Sequence, residues 1–253
     1  MSMKISSIII AKNEENNIGR CIDSQKNCVD EIIVIVDDSS CDRTLEIVQS
    51  KNVKYSVSRW LGYSKTKELA VSKTSNDWIL WIDADEALTS ELEAEIMDFK
   101  NSNPECAAFS MPRRAYFLGK WIKHSGWYPG RVTRLFNKDK CKFSESDVHE
   151  HLIVDGRIGK LRNDIEHFTD PTIHHYLEKF NIYTTLAAED LFSKDKRATI
   201  WDILFRPAFL FLKMYILRLG FLDGMHGLIL AVLSTCYVFA KYCKLWEMNK
   251  NLK

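Results

Sequence analysis

The 253-residue chain is poor in glycine (10) and proline (5), which excludes collagen-like repeats and long Pro/Gly linkers. It has no excess of charge of one sign. Thirty-five Lys/Arg stand against 34 Asp/Glu, net +1, so bulk basicity does not drive it onto nucleic acid. Its seven cysteines form no CxxC pair, which argues against a disulfide scaffold or structural zinc and for free thiols in a reducing compartment. There is no Asn-x-Ser/Thr sequon. Met1 to Ile10 runs straight into a strand pattern without a signal-peptide layout, so the expectation is a cytoplasmic catalytic part. GxGxxG and GxxxxGK[ST] are absent, against a dinucleotide oxidoreductase or a P-loop NTPase. GxSxG is absent too. His149-Glu150-His151 starts like HExxH, but Ile153 stands where the second zinc-binding histidine belongs.

What is present is a solid apolar fraction, 46% with 11% aromatics, enough for a real core. It is arranged as short β-branched runs alternating with helical patterns. Ile5–Ala11 reads as a buried strand, then Ile18, Cys21 and Ile22 fall at helical spacing. Glu31–Val36 is a second strand, followed by helix over Thr44–Val48. Val53–Val57 is a third strand, with helix over Tyr63–Lys73. Asp77–Ile82 is a fourth, then Thr89 caps a helix over Ser90–Lys100, and Cys106–Met111 is a fifth strand. Repeated β–α–β units predict an α/β fold with a mostly parallel, Rossmann-like sheet and helices on both faces. Ligands of such sheets sit at the carboxyl ends of the strands. Three of those ends carry polar, acid-rich loops: Asn13-Glu14, Asp37-Asp38, and Asp83-Ala84-Asp85-Glu86.

Asp83 and Asp85, at i and i+2 past an apolar strand, point to one side if the backbone is extended. Carboxylates placed so suit a hard divalent cation that completes its shell with water and substrate phosphates. The bland reading is that they cap the following helix.

The last 58 residues differ from the rest. From Lys196 on, nine Lys/Arg face three acids, net +6, which leaves −5 for residues 1–195. Two apolar runs of about 16 residues, Pro207–Leu222 and Met225–Ala240, fall short of the about 20 that span a bilayer. Two readings stand: helices lying on an anionic membrane surface, or a helical hairpin that packs on the protein or makes a homo-oligomer.

The stretches Ile8-Ile9-Ile10-Ala11-Lys12-Asn13-Glu14-Glu15, Val36-Asp37-Asp38-Ser39-Ser40-Cys41-Asp42-Arg43-Thr44 and Trp81-Ile82-Asp83-Ala84-Asp85-Glu86 resemble family 2 glycosyltransferases of the GT-A fold. Arg134-Leu135-Phe136, Val148-His149-Glu150 and Leu222-Asp223-Gly224 are similar to the branch of lipopolysaccharide inner-core β-1,4-glucosyltransferases. The resemblance covers nearly the whole chain. It implies a nucleotide-sugar-binding half (1–111), an acceptor-binding and catalytic-base half (112–195) and a basic apolar helical segment (196–253).

The same resemblance implies an inverting, metal-dependent hexosyltransferase, using UDP-glucose on a heptose of a lipid-anchored oligosaccharide acceptor. That activity places it in the cytoplasm, peripheral on the inner membrane, with no nucleic-acid partner. By position Ala11, Asn13 and Glu14 would line the base and ribose pocket, and Asp37 or Asp38 would meet the uracil. Lys67 would lie near the diphosphate unless it is a solvated helix lysine. Asp83 and Ala84 would face the ribose, and Asp85, with Asp83, would hold Mg or Mn. Glu150 is the first choice of base, Asp147 the second, and Glu145 a further candidate. His149, His151 and His167 are distant candidates for metal or phosphate contact. Trp127, Tyr128, Arg131 and Arg134 are candidates for acceptor binding, with core aromatics and a solvated arginine rim as the bland alternative. A sugar nucleotidyltransferase and a non-catalytic membrane-associated scaffold are the competing functions.

Overall fold

The computed structural model describes residues 2–144 and 151–250. The elements are, in order, β1 (Ile5–Ala11), α1 (Ile18–Asp23), β2 (Glu31–Asp37), α2 (Thr44–Ser50), β3 (Lys54–Ser58), α3 (Tyr63–Ser72), β4 (Trp78–Trp81), β5 (Glu86–Leu88) and α4 (Ser90–Phe99). There follow β6 (Ala108–Phe117), β7 (Lys120–Trp121), β8 (Gly130–Asn137), β9 (Cys141–Phe143), β10 (Leu152–Val154), β11 (Ile158–Lys160) and β12 (Ile165–Asp170). Three helices close the chain: α5 (Ile173–Ser193), α6 (Ile200–Phe211) and α7 (Met225–Lys250). Two compact units result: unit 1 is Met1–Arg113 with Arg131–His167, and unit 2 is Arg114–Gly130 with Phe168–Lys253. The boundary anticipated after residue 111 falls inside β6.

Unit 1 is a mixed α/β sheet, parallel in its first half. Its strands run β3-β2-β1-β4, all parallel, and β8 then adds antiparallel to β4. Every residue of β1 is buried, because helices cover both faces and leave no side to water. The period-2 alternation of a strand sorts the side chains. Ile5, Ile9, Val34, Leu80 and Ile82 meet Ile18, Ile22, Val48, Leu92 and Ile96 of α1, α2 and α4. Ile8, Ile10, Ile33, Ile35 and Ile79 meet Ala70 of α3 and Phe143 of β9. Truncating Ile8 to Ala would cost about 2–5 kcal/mol. β5 pairs antiparallel with β12, which sets His167 opposite Glu86.

Unit 2 begins with a hairpin between the end of β6 and β7. Its two-residue turn, Leu118-Gly119, has positive φ at both positions, the primed geometry that matches strand twist. The core joins Phe117 and Ile122 to Met214, Leu230 and Ala231. Thr172 caps α5, and Thr199 with Asp202 forms a capping box on α6. A π-helical turn, Leu212–Leu217, and a 3-10 turn, Gly220–Asp223, lead into α7. A Cβ on Gly220 would meet Ser125 Oγ at 2.5 Å and Met214 O at 2.7 Å, so only glycine allows that approach. Asp223, 3% exposed, fastens the turn. Its carboxylate accepts from the backbone N–H groups of Lys123 (3.3 Å) and His124 (2.9 Å) and lies 3.0 Å from His124 Nδ1.

The two short apolar helices expected at the C-terminus do not coincide with their apolar runs: α6 is offset toward the N-terminus of its run, and α7 is longer than its run. α6 starts seven residues before Pro207, and α7 carries on for ten residues beyond Ala240. The polar end of α7 is held by α5: Lys244 Nζ donates to Asn181 O, Thr184 Oγ1 and Thr185 Oγ1 at 3.0, 2.9 and 2.7 Å. α7 is long and apolar enough to cross a membrane by length and composition.

Candidate active site

The chain proceeds from β1 to β2 and β3 on one side, then returns to place β4 on the other side of β1. The carboxyl ends of β1 and β4 therefore flank the topological switch point, where open α/β sheets bind ligands. All three acid-rich loops rise from this edge of unit 1.

The loops after β1 and β2 are stitched to each other. Asn13, at φ 54°, a conformation asparagine tolerates better than most residues, turns its Oδ1 to accept from Cys41 N at 2.9 Å. Glu14 N donates to Thr44 Oγ1 (2.7 Å), and Glu15 N to Asp42 Oδ2 (2.9 Å). Ala11 is buried at the end of β1. The two adjacent acids part company. Asp37 is buried, accepts from Ser39 N and Oγ at 2.8 and 2.7 Å, and faces Lys12 Nζ at 3.3 Å. Burial pushes its carboxyl up, but the Ser39 bonds and the Lys12 ammonium outweigh burial and hold it below the usual carboxylate range. Asp38 is exposed.

After β4, two cations and two carboxylates close around one indole. Lys67 Nζ lies 3.8 Å and Arg134 Cζ 4.0 Å from the centre of the Trp81 ring, so the ring's quadrupole serves both. Trp81 Nε1 donates to Asp83 Oδ1 at 3.0 Å, and Lys67 Nζ stands 3.4 Å from that oxygen. Arg134 donates to Asp83 Oδ2 and, at 2.7 Å, to Glu86 Oε1. Glu86 Oε2 accepts from Asp83 N at 3.1 Å. Burial raises the Asp83 carboxyl, but Arg134 and then Lys67 more than reverse this, and it stays ionised far below its ordinary range. Burial, with the Asp83 charge, leaves Glu86 above its ordinary value despite Arg134. Lys67 is buried, because α3 turns it to the same inner face as Ser64 and Ala70; it is not a solvated helix lysine.

Ala84 is buried, and Asp85 behaves differently from Asp83. Its Oδ2 lies 3.2 Å from His167 Nε2, and the two side chains are 20% and 16% exposed. The β5–β12 register makes this meeting: it puts His167 opposite Glu86, one residue after Asp85. The buried His167 Nδ1 has no hydrogen-bond partner. Among the described residues no group of three His, Cys, Asp or Glu side chains gathers as a metal cage. One carboxylate and one imidazole still fit a divalent ion that takes its remaining ligands from diphosphate and water.

The expected acceptor residues divide between the units. Trp127 packs against the core of unit 2, 6.3 Å from the Phe117 ring, and Tyr128 meets Trp121 edge-on at 5.3 Å. In unit 1, Arg131 donates to the carbonyls of Ser110 (2.6 Å) and Leu161 (2.7 Å), and Arg134 is the buried partner of Asp83 and Glu86. Glu145, Asp147, His149 and Glu150 lie outside the described residues. Trp81 and Glu86 are site residues that the sequence reading did not assign a role. An indole within two residues of the first DxD acid was the only available signal.

The strand order and the helices on both faces of the sheet are those of the GT-A fold. A mannosyltransferase from Pyrobaculum calidifontis, solved with GDP-Man and Mn2+, superposes with a TM-score of 0.56 at 12% identity, covering 98% of this chain and 88% of its own. The family described as Glycosyl transferase family 2 matches residues 6–155, and the chain belongs to it. The lipopolysaccharide core biosynthesis glycosyltransferase LpsC of Rhizobium meliloti is 29% identical over 98% of this chain and 93% of its own length. An uncharacterized glycosyltransferase of Rickettsia felis is 33% identical over 98% and 90%. The protein is a glycosyltransferase, which sets aside the nucleotidyltransferase and scaffold readings.

Proposed function

We propose that the enzyme transfers glucose from UDP-glucose to a heptose of the lipopolysaccharide inner core, with inversion, at the cytoplasmic face of the inner membrane. The observation that carries this reading is the Asp85–His167 pair beside an Asp83 held by Lys67, Trp81 and Arg134; the similarity to LpsC supports the acceptor class. Asp38, exposed where Asp37 is engaged in its own loop, accepts the ring N–H of the uracil. Asn13 and Glu14 shape the floor beside the ribose. Asp83 turns its exposed edge to the ribose, and the cations around it keep it ionised.

Asp85 and His167 would hold a divalent cation, Mg or Mn, which when bound would neutralise the charge that grows on the leaving diphosphate. Glu150, or Asp147 in its place, takes the proton of the acceptor hydroxyl. The hydroxyl oxygen then bonds the anomeric carbon from the face opposite the diphosphate. The carbon–oxygen bond to the diphosphate breaks with its electron pair on the phosphate oxygen, so an α-linked donor yields a β-linked product. Trp127 and Tyr128 are assigned to acceptor contact. Arg131 and Arg134 act as positioning residues through the groups they already bind.

The test is transfer from a panel of nucleotide-sugars onto truncated core lipid, with and without EDTA, followed by linkage analysis. A β-linked glucosyl product that EDTA suppresses supports the reading; transfer unaffected by EDTA overturns its metal, and preference for another donor overturns its sugar.

A further inference from the structure

Unit 2 carries an apolar surface that nothing among the described residues covers. Between Ile200 and Met225 twelve large apolar side chains are exposed. Trp201, Phe205, Phe209, Leu212 and Ile216 recur at spacings of four, four, three and four residues, so they share one face. Trp201 and Phe205 stack with ring centres 4.2 Å apart. Leu217, just beyond, is 68% exposed. A contiguous apolar strip of this kind on a folded protein marks an interaction surface.

The charges beside the strip say what kind. Lys196, Arg197, Lys213 and Arg218 are exposed and have no carboxylate partner among the described residues. The only acids between 196 and 225 are Asp202 and Asp223. Asp202 is paired with Arg206 at 2.5 Å, and Asp223 is buried on Lys123 and His124. A second copy docking through this strip about a two-fold axis would bring the same cations together. An anionic leaflet offers apolar depth below and negative charge at the headgroups.

We infer that α6 and the π-helical turn after it lie flat in the headgroup region of an anionic bilayer, with Trp201, Phe205, Phe209 and Leu217 inserted and Lys196, Arg197, Lys213 and Arg218 on the headgroups. α7 stays out of the lipid, packed in the helical layer: its Lys244 is satisfied by α5, and Tyr237 OH donates to Tyr183 O at 3.1 Å. This names the membrane partner of the proposed enzyme, and rests on that reading only for the reason such docking is useful.

The test is co-sedimentation of the full chain with phosphatidylcholine vesicles, with and without 30 mol% (about one lipid in three) phosphatidylglycerol. Binding to the anionic vesicles alone is expected, released by high salt and by alkaline carbonate. Phe205→Glu with Phe209→Glu abolishes it while the circular dichroism spectrum is unchanged. Arg197→Glu with Lys213→Glu weakens it by at least about 25-fold, from about fivefold per lost cation. Equal binding to neutral vesicles, retention after carbonate, or binding untouched by these variants overturns the proposal. So does a dimer in sedimentation velocity that the Phe205→Glu pair dissociates. Transfer onto a deacylated, water-soluble core oligosaccharide is the separate control. Its absence in the unaltered chain sinks the enzymatic reading and leaves the vesicle result standing.

Discussion

The cluster around Trp81 and the strip along α6 treat charge in opposite ways. In the first, Lys67 and Arg134 answer Asp83 and Glu86 within a few ångströms, and both cations lie against the ring of Trp81. In the second, four exposed cations have no answering carboxylate among the described residues, and large apolar side chains face water. Charge paired inside a protein fixes geometry, at a desolvation cost that good hydrogen bonds offset. Charge left unpaired beside apolar surface is complementary to something outside. The contrast separates a region built to hold a shape from one built to meet a surface. It also separates the two aspartates of the DxD: Asp83 belongs to the rigid cluster, and Asp85, two residues on, has His167 as its one ion-pair partner among the described residues.

The comparison can be broken at several points, beginning with the largest effect. Asp85→Ala should lower turnover by about 10³-fold, about 4 kcal/mol, if it carries the charge-stabilising role proposed for it. Its melting temperature should barely move, because Asp85 pairs with His167 alone among the described residues; steady-state transfer and calorimetry check both. Arg134→Met should do the reverse in kind, destabilising the fold by about 3–5 kcal/mol because Asp83 and Glu86 lose a buried cation, read by urea unfolding. A smaller effect belongs to Glu31 at the amino end of β2. Burial raises its carboxyl, but Lys54 at 2.6 Å, Ser6 at 2.5 Å and Ser75 bring it down to about 2. Because its folded value is depressed, its stabilisation is complete above about pH 4.5, its value when unfolded, and is lost as pH falls toward about 2. Glu31→Gln should therefore cost about 1–2 kcal/mol at pH 7, and the difference from the unaltered chain should shrink across that window. Smallest of all, Phe209→Glu should change stability by less than about 0.5 kcal/mol, since its ring packs on water; a large loss would mean the strip is core after all.

Much of unit 1 was legible in the sequence. β1, β2 and β4 are short, largely apolar runs that stop on polar loops, acidic after β2 and β4 and Lys12-Asn13-Glu14 after β1, and such runs in a parallel sheet need no alternation to be read. Asn13, Asp37, Asp38, Asp83 and Asp85 followed from where those runs stop. The partners of these residues did not. His167 reaches Asp85 only through the β5–β12 register, and Arg134 reaches Asp83 and Glu86 across about fifty residues of chain. Antiparallel pairing over such a separation leaves no local mark. Lys67 had the composition of a solvated helix position; only the face that α3 turns inward decides otherwise. The extent of α7 was hidden for a similar reason, since its last ten residues mix Lys, Glu and Asn with apolar side chains and are held by bonds such as that of Lys244 to α5.

The most direct test of the central claim is calorimetric titration of UDP into the protein with manganese and then with EDTA, repeated on His167→Ala. Asp85 and His167 acting as one cation-binding pair predicts that manganese tightens UDP binding and that His167→Ala abolishes the difference. Equal heats and equal affinity in manganese and EDTA would contradict it.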